Sequence, residues 1–291
     1  MSESRRALVD ITWMYTLIGL LGWWVAQSVE GDLMMRAGVA DLAMTGLVFV
    51  FSLWKSNTSA YDAFWSIIPS YLTVWLFIVC DGQNWGLWTW ATMAMLNLWS
   101  WRLTHNWARG WPGWSHEDWR YVDFREAQGK ALFQLTNFFG LHLFPTVIVF
   151  ASCLALFDVA TASVFTPWLM ALGLGVGTLG IALELIADNQ LAAFRVRPNP
   201  KREDILDTGL WGVIRYPNYL GEMLFWWGIA LCGLGAQGAW WVTLGATGMV
   251  ILFASASIPM KDKRMSARRE AFAEYKARVP ALLPRLSKRN T

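Results

Sequence analysis

Charge is scarce in this chain. Of 291 residues only 15% are Asp, Glu, Lys or Arg, where soluble domains carry about 25%. That excludes a surface solvated on all sides, and with it the two-domain soluble protein that length alone would suggest. Cysteine and histidine are rarer still, at three each. Cys80, Cys153 and Cys232 are odd in number and far apart, which excludes a disulfide framework or a thiolate motif; in apolar segments a free cysteine acts as a small hydrophobe. His105, His116 and His142 show no ligand spacing and no H-E-x-x-H pair occurs, so no metal is expected. The net charge of +3 is too small for a nucleic-acid surface, and no nucleic-acid partner is expected.

Apolar and aromatic residues are abundant instead. Hydrophobic residues make up 55% of the chain and 21 residues are Trp, which favours the membrane–water interface. Eight apolar runs, near 8–29, 37–54, 60–80, 85–103, 131–157, 165–194, 217–234 and 239–258, are mostly long enough to cross a bilayer. With both termini cytoplasmic, 23 of the 24 Lys and Arg residues fall in inner segments and only Arg36 lies outside, as the positive-inside rule asks. The sequence therefore predicts an all-α, polytopic membrane bundle of about eight transmembrane helices with both ends inside. It would sit in a bacterial inner membrane, or in an ER-type membrane of a eukaryotic cell. Residues 8–29 follow Arg5 and Arg6 as a secretory signal would, but no small-residue cleavage site follows, so a signal anchor is expected.

Two motifs carry no chemistry. Residues 175–180, GVGTLG, match the dinucleotide fingerprint G-x-G-x-x-G, but that motif needs a strand before it and a helix after it. Here it lies inside an apolar span, where Gly173 and Gly177 let helices approach closely. Asn57-Thr58-Ser59 is a formal glycosylation sequon on the side expected to be cytoplasmic, where it would stay unmodified.

The informative residues are polar groups placed in or near spans, where a charge costs about 2.5–3.5 kcal/mol on insertion scales. Asp10 and Asp41 lie in the first two runs, Asp62 opens the third, and Asn97 and Arg102 lie in the fourth. Glu184 and Asp188 share one face of the sixth, four residues apart. Asn218 and Glu222 repeat that spacing after Pro217, which suits a first helical position, and Gly221 leaves room for a close approach. In the expected topology all of these lie toward the cytoplasmic half. Between the sixth and seventh runs come Arg195, Arg197, Lys201, Arg202 and Arg215. Positive-inside charge and anionic lipid account for the number of these basic residues. An anionic cofactor accounts for them and for the acids and amides beside them, with Arg and Lys holding phosphates.

The run LELIADNQLAAFR…DTGLWGVIRYPNYLGEMLFWWG resembles the membrane-embedded steroid 5-alpha-reductase family, in particular its bacterial branch known only as DUF1295. The blocks NTSAYDAFWSIIP, NLWSWRLTHNW and IPMKDKRMSARREAFAEYKARVPALLP fit the same branch, so the resemblance runs from about 55 to 285. It implies an amino-terminal two-span segment, 1–54, followed by a membrane catalytic domain with a short cytoplasmic tail, 55–291. It implies NADPH-dependent reduction of a conjugated carbon–carbon double bond in a lipophilic substrate reached through the membrane lipid. Carried over, Arg102, Glu184, Asp188, Arg195, Arg215, Asn218, Tyr219 and Glu222 would bind the cofactor, with Arg197 or Arg202 further candidates for its 2′-phosphate. Asp62 would face the substrate carbonyl beside Trp99. Tyr216 stands where many relatives have His. Two other readings stay open: an S-adenosylmethionine-dependent methyltransferase of the isoprenylcysteine type, which shares an Arg–Pro–Tyr turn, and a non-catalytic lipid-binding or transport protein.

Overall fold

The computed structural model describes residues 2–198, 201 and 203–284; the candidate Arg202 lies outside them. The described residues are helical with no strand. In chain order the helices are α1 (Glu3–Ser28), α2 (Leu33–Lys55), α3 (Phe64–Val79), α4 (Leu87–Gly110), α5 (Trp119–Ala127), α6 (Lys130–Thr161), α7 (Pro167–Arg195), α8 (Pro217–Gly235), α9 (Trp240–Arg268) and α10 (Phe272–Arg278). A 3₁₀ turn at Thr58–Tyr61 leads into α3. Wide π turns interrupt α6 at Thr136–Leu143 and α9 at Phe253–Ser257.

The ends are set by local chemistry. Asp32 and Asp118 accept backbone N–H groups at the starts of α2 and α5, satisfying donors that have no partner within the helix. Pro167 and Pro217 open α7 and α8. Ser56 ends α2 in the left-handed region at φ 50°.

Six helices are long and apolar enough to cross a membrane: α1, α2, α3 with its lead-in, α6, α7 and α9. They are compatible with a multi-pass integral membrane protein. The expected count was eight, and the difference lies in α4 and α8. Asn97, Arg102 and a series of indoles break the apolar run of α4. Helix α8 has only 19 residues and carries Asn218 and Glu222 in its first turns. Outward-facing Trp13, Trp24, Trp54, Trp101, Trp168 and Trp240 are exposed, while Trp75, Trp99 and Trp226 are fully buried.

The tightest seam runs between α7 and α8. A Cβ on Gly228 would lie 2.5 Å from the Gly177 Cα, and one on Gly180 would lie 2.5 Å from the Gly221 carbonyl oxygen. Backbone meets backbone here, so nothing flexible can give way; small residues of this kind replace hydrophobic drive with close packing in lipid. The residues read as a false nucleotide fingerprint thus form part of a helix–helix seam.

The seam makes a sharp contrast testable. Gly228→Ala should cost about 1–3 kcal/mol through overpacking. Gly175→Ala, where the added methyl meets nothing within 4 Å, should be neutral or stabilising, because Ala is the better helix former. Thermal unfolding of the two detergent-purified variants checks this; equal midpoints would remove the seam from the account.

Candidate functional site

The sequence candidates separate into three groups. The first surrounds Arg102, a buried guanidinium on α4. It pairs with Glu184 and donates from Nη1 to Asp188 at 2.9 Å. Asn106, one turn further along α4, donates to the same Asp188 oxygen at 3.0 Å. The like-charged spacing of Glu184 and Asp188 is therefore a clamp for one cation. Gly221 explains how Glu184 fits: a Cβ there would lie 2.6 Å from the Glu184 Cγ. The group that approaches the glycine closely belongs to the protein itself.

Glu222 completes this interior cluster. Trp99 Nε1–H donates to one of its oxygens at 3.1 Å and Trp226 Nε1–H to the other at 2.9 Å. The Trp99 ring stacks on Phe225, with centroids 4.6 Å apart. The two indoles satisfy a carboxyl group that lipid-like surroundings would otherwise penalise. Asn218 and Glu222 do not share one corner as their spacing suggests: Glu222 faces the indoles and Asn218 faces a cavity.

That cavity, about 330 Å³, gathers the second group. It lies where the end of α7, the start of α8, the end of α9 and α10 meet. Arg195, Arg197, Lys201, Arg215, Lys261 and Arg269 supply cations, and Phe194, Trp211, Tyr216, Tyr219, Phe272 and Tyr275 supply rings. No carboxylate lines it among the described residues. Its walls are fixed by hydrogen bonds. Gly209, at φ +60°, lies against Gln190, whose side chain accepts the Leu210 N–H at 3.0 Å. Trp211 donates to the Ala187 carbonyl at 3.1 Å, and Tyr275 O–H donates to the Trp211 carbonyl at 2.6 Å. Burial pushes the Tyr275 hydroxyl up to about 12.

Arg215 ties the tail to this wall. Its guanidinium donates to the Val279 carbonyl at 2.5 Å and to Asp262 at 3.1 Å. Backbone N–H groups of Arg215 and Tyr216 donate to the carbonyls of Pro280 and Ala281, at 2.8 and 3.1 Å. Tyr216 O–H donates to Asp262 at 2.6 Å, and the Tyr216 ring stacks on Tyr219. The tyrosine that replaces a common histidine therefore has a structural partner. Arg197 pairs with Asp204 and lies over the Phe194 ring. Burial and the neighbouring cations Arg197 and Arg195 draw the Arg269 guanidinium below its ordinary range, partly offset by Asp204.

Two polar atoms at the cavity have no protein partner: the buried Nε of Arg215 and the buried Oδ1 of Asn218. Buried polar groups are normally satisfied, so this donor and acceptor call for a ligand or water. Lys261, Arg269, Phe272 and Tyr275 were not singled out from sequence. Their tail reads as inner positive charge, and only the aromatic spacing Phe272–Tyr275 within it hints at a packed helix.

Asp62 forms the third group. Tyr121 O–H donates to it at 2.5 Å, and the segment carrying Tyr121 is itself clamped. Asn57 donates to the carbonyls of Trp114 and His116, each at 2.9 Å, and Glu117 accepts the Thr58 N–H at 2.7 Å. Asn57 is buried with its amide fully used, which removes it as a glycosylation acceptor. Arg120 binds Asp118; despite burial, which acts the other way, this holds the Asp118 carboxyl below the usual range. Trp65 stands 6.0 Å from Trp99, ring to ring. No three-residue cluster of potential metal ligands occurs among the described residues.

The family described as a protein of unknown function, DUF1295, matches residues 48–279. The chain belongs to that family. An uncharacterized protein of Schizosaccharomyces pombe is 27% identical, the match covering 81% of this chain and 75% of that protein. No solved structure matches. The DUF1295 match takes in all three groups and the cavity.

Arg102 gives this DUF1295 chain a direct test. Arg102→Met strands the buried Glu184 and leaves the half-buried Asp188 with only Asn106 among the described residues, and should destabilise it by about 3–5 kcal/mol. Asp188→Asn leaves the Arg102–Glu184 pair standing and should cost less. Denaturant unfolding of both variants ranks them; the reverse order would mean that Arg102 does not organise the cluster.

Proposed function

We propose that this chain is an integral membrane, NADPH-dependent reductase of a conjugated carbon–carbon double bond in a lipophilic substrate. The single observation that carries the proposal is the cavity of six cations and six rings without a lining carboxylate. Cations hold phosphate oxygens and rings hold bases by stacking. The unpaired Arg215 Nε and Asn218 Oδ1 supply a donor and an acceptor beside them. The resemblance to steroid 5-alpha-reductases, carried by RYPNYLGE at 215–222, supports the same reading. A lining whose charged residues are all cations disfavours S-adenosylmethionine, whose sulfonium is itself positive.

The cavity is near the lower limit of ligand-pocket sizes. In this reading its cations would hold the phosphates, its rings the adenine and Asn218 the remainder of the dinucleotide, while Glu222, held by its two indoles, lies outside the lining. NADPH, when bound, supplies the hydride for the β-carbon. The chain's part is to hold the dinucleotide, exclude water with Trp99, Phe225 and Trp226, and stabilise the charge that develops on the substrate carbonyl. Asp62, positioned by Tyr121, is the proposed carbonyl partner in its protonated form, since a carboxylic acid can donate to the developing negative charge and so lower the barrier.

The proposal includes eight spans, with α4 and α8 crossing beside their more apolar neighbours and both ends on the nucleotide side. One physical grouping supports it. Lys55, paired with Asp10, the 111–127 segment and the cavity all lie at one end of the bundle, while Arg36 contacts Ala26 and Gln27 at the other.

Nucleotide binding checks the proposal directly. At about a hundred times its Kd, NADPH should stabilise the detergent-purified protein by about 2.7 kcal/mol, a rise of about 5 °C or more in Tm. Arg269→Ala should weaken that binding at least tenfold, or about 1.4 kcal/mol. A shift with S-adenosylmethionine and none with NADPH would sink the proposal. For the topology, Ser115→Cys in a background lacking Cys80, Cys153 and Cys232 should resist impermeant thiol reagents in intact cells; rapid labelling would invert the orientation.

A further inference from the structure

A second set of buried polar groups lies away from the cavity and has no place in the reading above. Asp41, on α2, is almost fully buried and neither carboxyl oxygen has a protein partner. It is also not where the pattern of inner acids put it. It stands fourteen residues before Lys55, about 21 Å along the helix at about 1.5 Å per residue, nearer the opposite end. Among the described residues no charged side chain pairs with it. An unpaired carboxyl at membrane depth is costly, and such groups mark ion or proton paths.

Asp41 does not stand alone. Thr45, one turn further along α2, shares a hydrogen bond of 3.0 Å with Thr146 on α6, and Thr146 shares another of 2.8 Å with Tyr61. The Tyr61 ring lies against the ring of His142, with centroids 4.9 Å apart. His142 Nδ1–H donates to the Asn137 carbonyl at 2.8 Å, which leaves Nε2 as an acceptor without a protein partner. Asn137, whose Oδ1 is likewise buried and unpaired, lines an open cavity of about 430 Å³ with Ser52, Arg125, Lys130 and Gln134. Asn137 and His142 both sit in the π turn of α6, a departure from regular helix that recurs at functional sites. At the far end Asp41 lines a small cavity of about 20 Å³ together with Trp75, whose indole N–H is also unpaired. That is room for one water.

We propose that Asn137, His142, Tyr61, Thr146, Thr45 and Asp41 form a proton path from the open cavity at the Lys55 end to Asp41 in the middle of the bundle. Water at the unpaired atoms of Asn137, His142 and Asp41 completes the gaps. A proton arriving from bulk water is held at His142 Nε2 and passed on. Each of the three hydroxyls accepts a proton as it releases its own, so one O–H bond breaks as the next forms, and Asp41 receives the last. No oxidant or reductant is involved. A conjugate reduction consumes one such proton per turnover, but the path does not rest on the reductase reading and its test uses no nucleotide.

Infrared spectroscopy of the full chain in lipid membranes tests it. The expected result is a carboxylic-acid C=O band lost in Asp41→Asn that shifts down promptly on transfer to D₂O. Thr146→Val, close in shape but unable to donate, and Tyr61→Phe should slow that shift at least tenfold while leaving the band in place. Absence of an Asp41 band, or exchange in both variants at the unmodified rate, would overturn the path and leave the polar file as glue between α2, α3 and α6.

Discussion

Everything else in the structure hangs on the distance between α7 and α8. Without side chains at Gly177, Gly180, Gly221 and Gly228, the two backbones touch, and that contact sets two geometries at once. At one level it brings Glu184 beside Gly221, so that the acids of α7 can reach Arg102 on α4 while Glu222 turns to its two indoles. At the end of the seam it holds the last turn of α7 and the first turn of α8 at a fixed separation, and the cationic cavity opens between them. A bundle driven together by hydrophobic force would tolerate a loose fit here. In a lipid environment packing itself is the driving force, and the seam leaves no slack.

The interior cluster and the cavity divide the polar residues by what they need. Arg102, Glu184, Asp188 and Glu222 are partnered by one another and by indoles, with Arg102 Nε and Glu184 Oε1 left over, and a buried pair of this kind is harmful mainly when one member is lost. Around the cavity positive charge is in excess. Six cations line it, of which Arg197 and Arg215 pair with Asp204 and Asp262, and a donor and an acceptor lack protein partners. The first arrangement is a framework; the second is the place where the proposed nucleotide would find its partners.

Much of this was legible in the sequence, and the boundary is instructive. Apolar run length revealed the helical membrane class, and polar residues in those runs drew attention to Arg102, Glu184, Asp188, Asn218 and Glu222. Spacing could not say where each side chain points. Glu222 and Asn218 share a helix face on paper, yet the aromatic neighbours Trp99 and Trp226 capture one while the loop before Pro217 opens beside the other. The tail was hidden for a different reason. Its basic residues satisfy the positive-inside rule, so nothing about Lys261 or Arg269 called for a second explanation until α10 was seen folded against Trp211. Asp41 was visible as an oddity, but its connection to Tyr61 and His142 depends on a π turn that residue patterns do not announce.

The backbone bonds from Arg215 and Tyr216 to the carbonyls of Pro280 and Ala281 have an implication for how the molecule is made. One wall of the cavity comes from α10 and the residues just after it, which leave the ribosome later than α7 and α8. A polypeptide still in synthesis has α7 and α8 in place, but it lacks the helix that covers Trp211 and the carbonyls that hold Arg215. The cavity therefore closes only after Ala281 has been added. No ligand taken up there can guide the insertion of the earlier helices, and a chain cut short before Pro280 keeps its bundle but has an open trough in place of a pocket.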